Sequence, residues 1–87
     1  MKIKVFKAVQ WHCAPCVALT PVITQLAEEK NIPLSFIDVD EEPELTAEMK
    51  IRGVPTLIVF DDKGEELGRK VGAVSHTHLS SWLENFE

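Results

Sequence analysis

The sequence predicts an α/β domain on a mixed four-stranded sheet, and three observations carry that expectation. An alternating charged–apolar segment, a helical apolar stripe and a second short apolar segment follow one another at the N-terminus, the order of a βαβ unit. Such a unit requires a parallel pair with a right-handed crossover. The run Thr56-Leu57-Ile58-Val59-Phe60 is continuously apolar after its threonine, as in a strand buried on both faces. The turn residues Asp61-Asp62-Lys63-Gly64 then follow, joining that strand to an antiparallel neighbour.

Taken in order, residues 2–8 form a strand with Ile3, Val5 and Lys7 on one face and Lys4 and Phe6 on the other. Cys16, Leu19, Ile23, Leu26 and Ala27 recur at helical spacing, with Val22 beside them and Thr20, Thr24, Gln25, Glu28 and Glu29 opposite. This predicts a helix over 14–30, kinked at Pro21, which lacks an amide donor. Leu34 to Val39 form a second strand, entered after Asn31 and Pro33. Pro43, with Glu41, Glu42 and Glu44, starts a short helix that ends near Lys50, because carboxylates suit the positive end of the helix dipole. A last strand covers about 65–71. Leu79, Trp82, Leu83 and Phe86 stripe a C-terminal helix capped by Ser75 or Thr77, with Trp82 in the core and His76 and His78 in solvent. The order is β-α-β-α-β-β-α, a single domain over residues 1–87 with three helices flanking the sheet.

Composition narrows the function. In 87 residues, 9 basic against 14 acidic side chains leave a net charge of −5, which disfavours a nucleic-acid surface. No apolar run approaches the roughly 18 residues of a membrane helix. Met1 to Lys7 alternates charge with apolar residues and does not read as a secretory leader. The expectation is a soluble, cytoplasmic, monomeric protein. The acidic group Asp38, Asp40, Glu41, Glu42 and Glu44 reads as a solvated edge with helix-start acids.

Both cysteines lie in one motif, Cys13-Ala14-Pro15-Cys16. A structural bridge closing so short a loop adds only about 2 kcal/mol in the chain-entropy account. A metal site needs about four ligands; the motif supplies two, His12 adjoins it, and His76 and His78 lie far along the chain. Redox chemistry fits best. The motif sits between the first strand and the first helix, at the carboxyl edge of the sheet, where open α/β sheets bind ligands. Cys13 stands just before the first helical turn, where free amides and the dipole favour a thiolate. Cys16 falls one turn inside, on the apolar stripe. Cys13 is therefore assigned as the nucleophile and Cys16 as the resolving thiol. Pro15 fits a first turn, which needs no amide donor there.

Residues 11–16, Trp-His-Cys-Ala-Pro-Cys, resemble the active-site motif of the thioredoxin family. Pro21, the segment Arg52-Gly53-Val54-Pro55-Thr56, and Lys70-Val71-Gly72-Ala73 match further family features in the right order. The similarity covers nearly the whole chain, and resembles most the compact thioredoxins that lack the N-terminal βα unit. It implies the thioredoxin fold, a cis bond between Val54 and Pro55, and Pro55 packed beside the cysteines. It also implies a docking surface of Trp11, His12, Ala14, Pro15, Val54, Pro55, Gly72 and Ala73 around a redox disulfide, Cys13–Cys16. Ordinary core packing competes for Trp11, but its place beside the nucleophile favours exposure.

The chain departs from the family at four positions. His12 stands where a tryptophan usually precedes the first cysteine, and Ala14 replaces a glycine. Lys7 stands where thioredoxins generally bury an aspartate, and Phe36 where that aspartate's lysine partner would be. An ammonium near the thiols acts oppositely to a carboxylate and favours their ionised form.

The function implied is reduction of protein disulfides by the dithiol, without a bound cofactor, with recharging by an NADPH-dependent flavoprotein reductase. The alternatives are a glutathione-coupled, glutaredoxin-like reductase and a protein-binding module that needs no turnover. Gly53-Val54-Pro55-Thr56 and Gly72-Ala73, in place of Thr-Val-Pro and Gly-Gly, favour thioredoxin over glutaredoxin.

Overall fold

A computed structural model describes residues 1–9 and 13–87. The elements run β1 (Lys2–Lys7), α1 (Ala14–Lys30), β2 (Leu34–Asp38), α2 (Pro43–Glu48), β3 (Thr56–Phe60), β4 (Glu66–Val71) and α3 (His76–Glu84). The sheet order is β2-β1-β3-β4. β1 and β2 pair in parallel, with Val5 opposite Phe36 and Lys7 opposite Asp38. The other two pairings are antiparallel.

Strand alternation sorts the core into two layers. Ile3, Val5, Leu57 and Val59 point to one face, where Leu19, Ile23 and Leu26 of α1 and Leu79 and Leu83 of α3 cover them. Phe6, Ile58 and Phe60 point to the other, against Leu45 and Met49 of α2 and its flanks. β3 is buried at every residue because it is covered on both faces. Thr56, its one polar residue, donates its hydroxyl hydrogen to the Gly53 carbonyl at 2.6 Å, so its burial leaves no orphaned donor.

α1 ends where the backbone turns left-handed at Asn31 (φ 58°), a residue that tolerates this conformation. The Ile32 N–H donates to Ala27 O at 2.9 Å and the Asn31 N–H to Glu28 O at 3.2 Å. Ile32 thereby enters the core beside Ala27 and sets the entry into β2. Pro21 lies inside α1, which is continuous across it. On the opposite face of the sheet, Arg69 grips Glu66 through two hydrogen bonds of 2.7 and 2.6 Å and donates a third to the Met49 carbonyl at 3.1 Å. That fork ties the end of α2 to β4. It also holds the Glu66 carboxyl below its ordinary range, the Arg69 hydrogen bonds being the main cause.

Two expectations about α3 need correction. Trp82 is half-buried and not in the core: its ring meets the edge of Phe86 (centroids 4.9 Å apart, planes at 81°) and carries the Lys70 ammonium 5.4 Å from its centroid. Leu79 and Leu83 take the innermost positions because they are the residues of the stripe that face α1 and the sheet. His76 is only partly solvated: its side chain is 41% exposed while its Nε2 is shielded. Its Nε2 lies 3.4 Å from Glu29 of α1, within ion-pair range but without hydrogen-bond alignment. His78 is exposed, and Ser75 is the cap, accepting from the His78 N–H at 3.3 Å.

β2 is an edge strand with one neighbour, whereas β3 is central. Amide exchange over Leu34–Asp38 should therefore run at least roughly tenfold faster than over Thr56–Phe60. Equal protection would require a second surface on β2, which sedentation by analytical ultracentrifugation would reveal as self-association. A second prediction concerns Gly68 in β4. A Cβ there would lie 2.7 Å from Phe86 Cζ and 3.2 Å from Trp82 Cζ2. Gly68→Ala should cost about 1–2 kcal/mol in denaturant unfolding, and less in a Phe86→Leu background, because the ring is what the methyl meets.

Candidate active site

The site grows from the junction of β1 and α1. α1 must lay Cys16, Leu19, Ile23 and Leu26 against the sheet, and this docking fixes where its first turn lies. Cys16 is 4% exposed. Cys13 is half-buried at the N-cap position, and its sulfur accepts from the Cys16 N–H at 3.2 Å. The cysteine thus caps the helix as a serine would, and the same amide would stabilise a thiolate in the reduced protein. Thr20 reaches back one turn and donates to the Cys16 carbonyl at 2.8 Å. Cys13 and Cys16 are joined as a disulfide, with Cα atoms 5.2 Å apart.

A second segment meets the pair from across the sheet. The Val54–Pro55 bond is cis, as the family resemblance implies. The Val54 carbonyl oxygen lies 3.9 Å from Cys13 Sγ. Pro55 is buried, and its carbonyl accepts from the Gly72 N–H at 2.8 Å, which couples the loop after β4 to the loop before β3. Gly72 itself has φ +91°, a conformation that side chains rarely adopt. Val54 and Gly72 are half-buried, while Ala14, Pro15 and Ala73 are exposed. Trp11 and His12 lie outside the described residues.

Periodicity alone does not find the apolar rim of this site. Val9 and Val71 are 63% exposed and Val17 is 74% exposed. Cys13, Ala14, Val17 and Ala18 line a shallow groove of about 390 Å³ along the outer face of α1. Only the mismatch of a valine and two alanines on the solvent side of an amphipathic helix could have signalled it. On the inner side, Lys7, Ala8 and Val9 at the end of β1 and Cys13, Cys16, Val17 and Thr20 of the α1 junction line a cavity of about 190 Å³. Among the described residues, Lys7 is the one charged side chain in that lining, and its ammonium lies 4.5 Å from the centroid of the Phe36 ring.

A half-exposed sulfur at a helix N-terminus, bridged to a buried one, is suited to disulfide exchange. The outer sulfur can be reached by a partner and stabilised as an anion, and the inner one can only attack its neighbour.

Comparison with known proteins agrees with this chemistry. The thioredoxin family model matches residues 3–85. The chain is 34% identical over 77 residues to a thioredoxin of Rhodospirillum rubrum, covering 86% of this chain and 72% of that one. It is 36% identical over 69 residues to an SPbeta prophage-derived thioredoxin-like protein of Bacillus subtilis, covering 79% and 81% of the two. Among solved structures, thioredoxin 1 of Thermosipho africanus superposes with a TM-score of 0.85 at 31% identity, covering 99% of this chain and 93% of that one. With the fold, the cysteine pair and the proline loop all in place, the chain belongs to the thioredoxin family of thiol–disulfide oxidoreductases.

Proposed function

We propose that this protein reduces disulfides of other proteins, with Cys13 as the attacking thiolate and Cys16 as the resolving thiol. The observation that carries the assignment is the unequal burial of the pair: Cys13 is half-buried at the helix cap and Cys16 is 4% exposed behind it. The Cys13 thiolate attacks one sulfur of a substrate disulfide and releases the other as a thiolate. Cys16 then attacks the Cys13 sulfur, forming the intramolecular bridge and expelling the second substrate thiolate. Two electrons pass from the dithiol to the substrate, and the protons of the two cysteines end on the released thiols.

The docking surface we assign is Trp11, His12, Ala14, Pro15, Val54, Pro55, Gly72 and Ala73. The short distance from the Val54 carbonyl to Cys13 Sγ and the Pro55–Gly72 hydrogen bond support grouping the two loops with the cysteine motif. The exposed valines 9, 17 and 71 extend that surface with apolar contact, suited to a partially unfolded or extended protein segment. Oxidised protein would be recycled by an NADPH-dependent flavoprotein reductase in the cytoplasm, with the protein acting as a monomer. Among the described residues, no helix is long and apolar enough to cross a membrane.

Insulin reduction tests the roles. Cys13→Ser should abolish turnover, and Cys16→Ser should accumulate a mixed disulfide through Cys13 that is visible by mass spectrometry. Alkylation of the reduced protein should label Cys13 faster than Cys16. Faster labelling of Cys16 would reverse the assignment. A double Cys13→Ser/Cys16→Ser protein that keeps its biological activity would make the chain a binding module instead. Recycling by glutathione but not by a thioredoxin reductase would move it to the glutaredoxin class.

A further inference from the structure

Among the described residues that line the inner cavity behind the disulfide, Lys7 is the one with a charged side chain. Cys16 Sγ will be a poor anion there: the residue is 4% exposed, so water cannot solvate the thiolate well, and desolvation raises a thiol's pKa. The capping amide of Cys16 is directed at the other sulfur. The Thr20 hydroxyl, the other polar side-chain group of the lining, already donates to the Cys16 carbonyl. Among the described residues of the lining, the Lys7 ammonium is the polar group that remains.

Its position follows from strand register. Val5 is paired with Phe36, so Lys7, two residues further, shares the face of Val5 and lies diagonally across from the Phe36 ring. The ring is 38% exposed at the sheet edge and holds the ammonium over its face at 4.5 Å. A cation on an aromatic face keeps its charge at modest desolvation cost, and it stays oriented without a carboxylate to neutralise it. Asp38, opposite Lys7 in the ladder, accepts from the Asp40 N–H at 3.0 Å. No carboxylate oxygen lies within 4 Å of the Lys7 ammonium among the described residues. Among the described residues of the lining, the capping Cys13, the α1 residues Cys16, Val17 and Thr20, and Ala8 and Val9 carry no other fixed charge.

We propose that Lys7, seated on Phe36, is a positioning residue that favours the thiolate of Cys16 in the resolving step. The proton leaves the Cys16 thiol for solvent, the ammonium stabilises the resulting anion, and the anion attacks Cys13 Sγ. The S–S bond to the substrate breaks, and the expelled thiolate takes up a proton from solvent. Lys7 neither gains nor loses a proton in the step. This inference rests on Cys16 as the resolving thiol.

Reduced Cys13→Ser protein isolates Cys16 for titration by ultraviolet thiolate absorbance. Adding Lys7→Met or Lys7→Gln should raise the Cys16 midpoint by about one unit, a tenfold loss of thiolate at a pH below it. Lys7→Arg should hold the midpoint near its original value, and Phe36→Leu should raise it by less. In the otherwise native protein, Lys7→Gln should shift the pH profile of mixed-disulfide resolution upward by the same amount. Loss of stability alone would leave both midpoints in place. An unchanged or lowered Cys16 midpoint in both neutral variants overturns the proposal. Failure of the native protein to reduce insulin would instead overturn the reductase function, while the Cys16 titration would still report on Lys7.

Discussion

The docking of α1 onto β1 and β3 is the constraint from which the site follows. Leu19, Ile23 and Leu26 each bury a full side chain against Ile3, Val5, Leu57 and Val59, worth about 2 kcal/mol apiece in apolar transfer. A helix held by that stripe cannot slide or rotate without exposing it. Its first turn is therefore held at the carboxyl end of β1, and Cys16, the first member of the stripe, is held inside. Cys13 is left one turn out, at the cap, where it is reachable and has an amide donor. One packing interaction thus creates the unequal pair that disulfide exchange needs.

The same arrangement explains why the second segment belongs to the site. β3 is paired on both sides and buried on both faces, so the residues entering it are anchored from within. Thr56 bonds back to Gly53, and Pro55 is tied to Gly72 across the start of β3 and the end of β4. These contacts bring the Val54 carbonyl to the outer sulfur from a point 41 residues away in sequence. The chemistry is carried by two residues of one motif, and the surroundings come from three separate loops.

Electrostatics divides between the two faces of the cysteine pair. Outside, the helix N-terminus and its amides favour an anion on Cys13. Inside, low solvent access would penalise one on Cys16, and the proposed role of Lys7, which lines the same cavity, is to oppose that penalty. Placing a lysine there is tolerable because β2 is a sheet edge, where the half-exposed Phe36 ring supplies a face for the ammonium.

The sequence by itself determined every element and its order through local signals: periods of two and 3.6 residues for β1, α1 and α3, an unbroken apolar run for β3, and proline, acid and turn residues for α2 and the start of β4. It also determined the chemistry, since the cysteine spacing and its place at a strand-to-helix junction are local facts. Tertiary structure alone decided contacts that depend on register and on which elements meet. The diagonal pairing that seats Lys7 on Phe36 arises from the β1–β2 register. The approach of His76 to Glu29 and the half-burial of Trp82 depend on how α3 lies beside α1 and β4. The exposed Val9, Val17 and Val71 lie in the loop after β1, in α1 and at the end of β4, and share no sequence period. A periodic pattern tells which side of an element is buried, but the partner on that side is set by packing between segments distant in the chain.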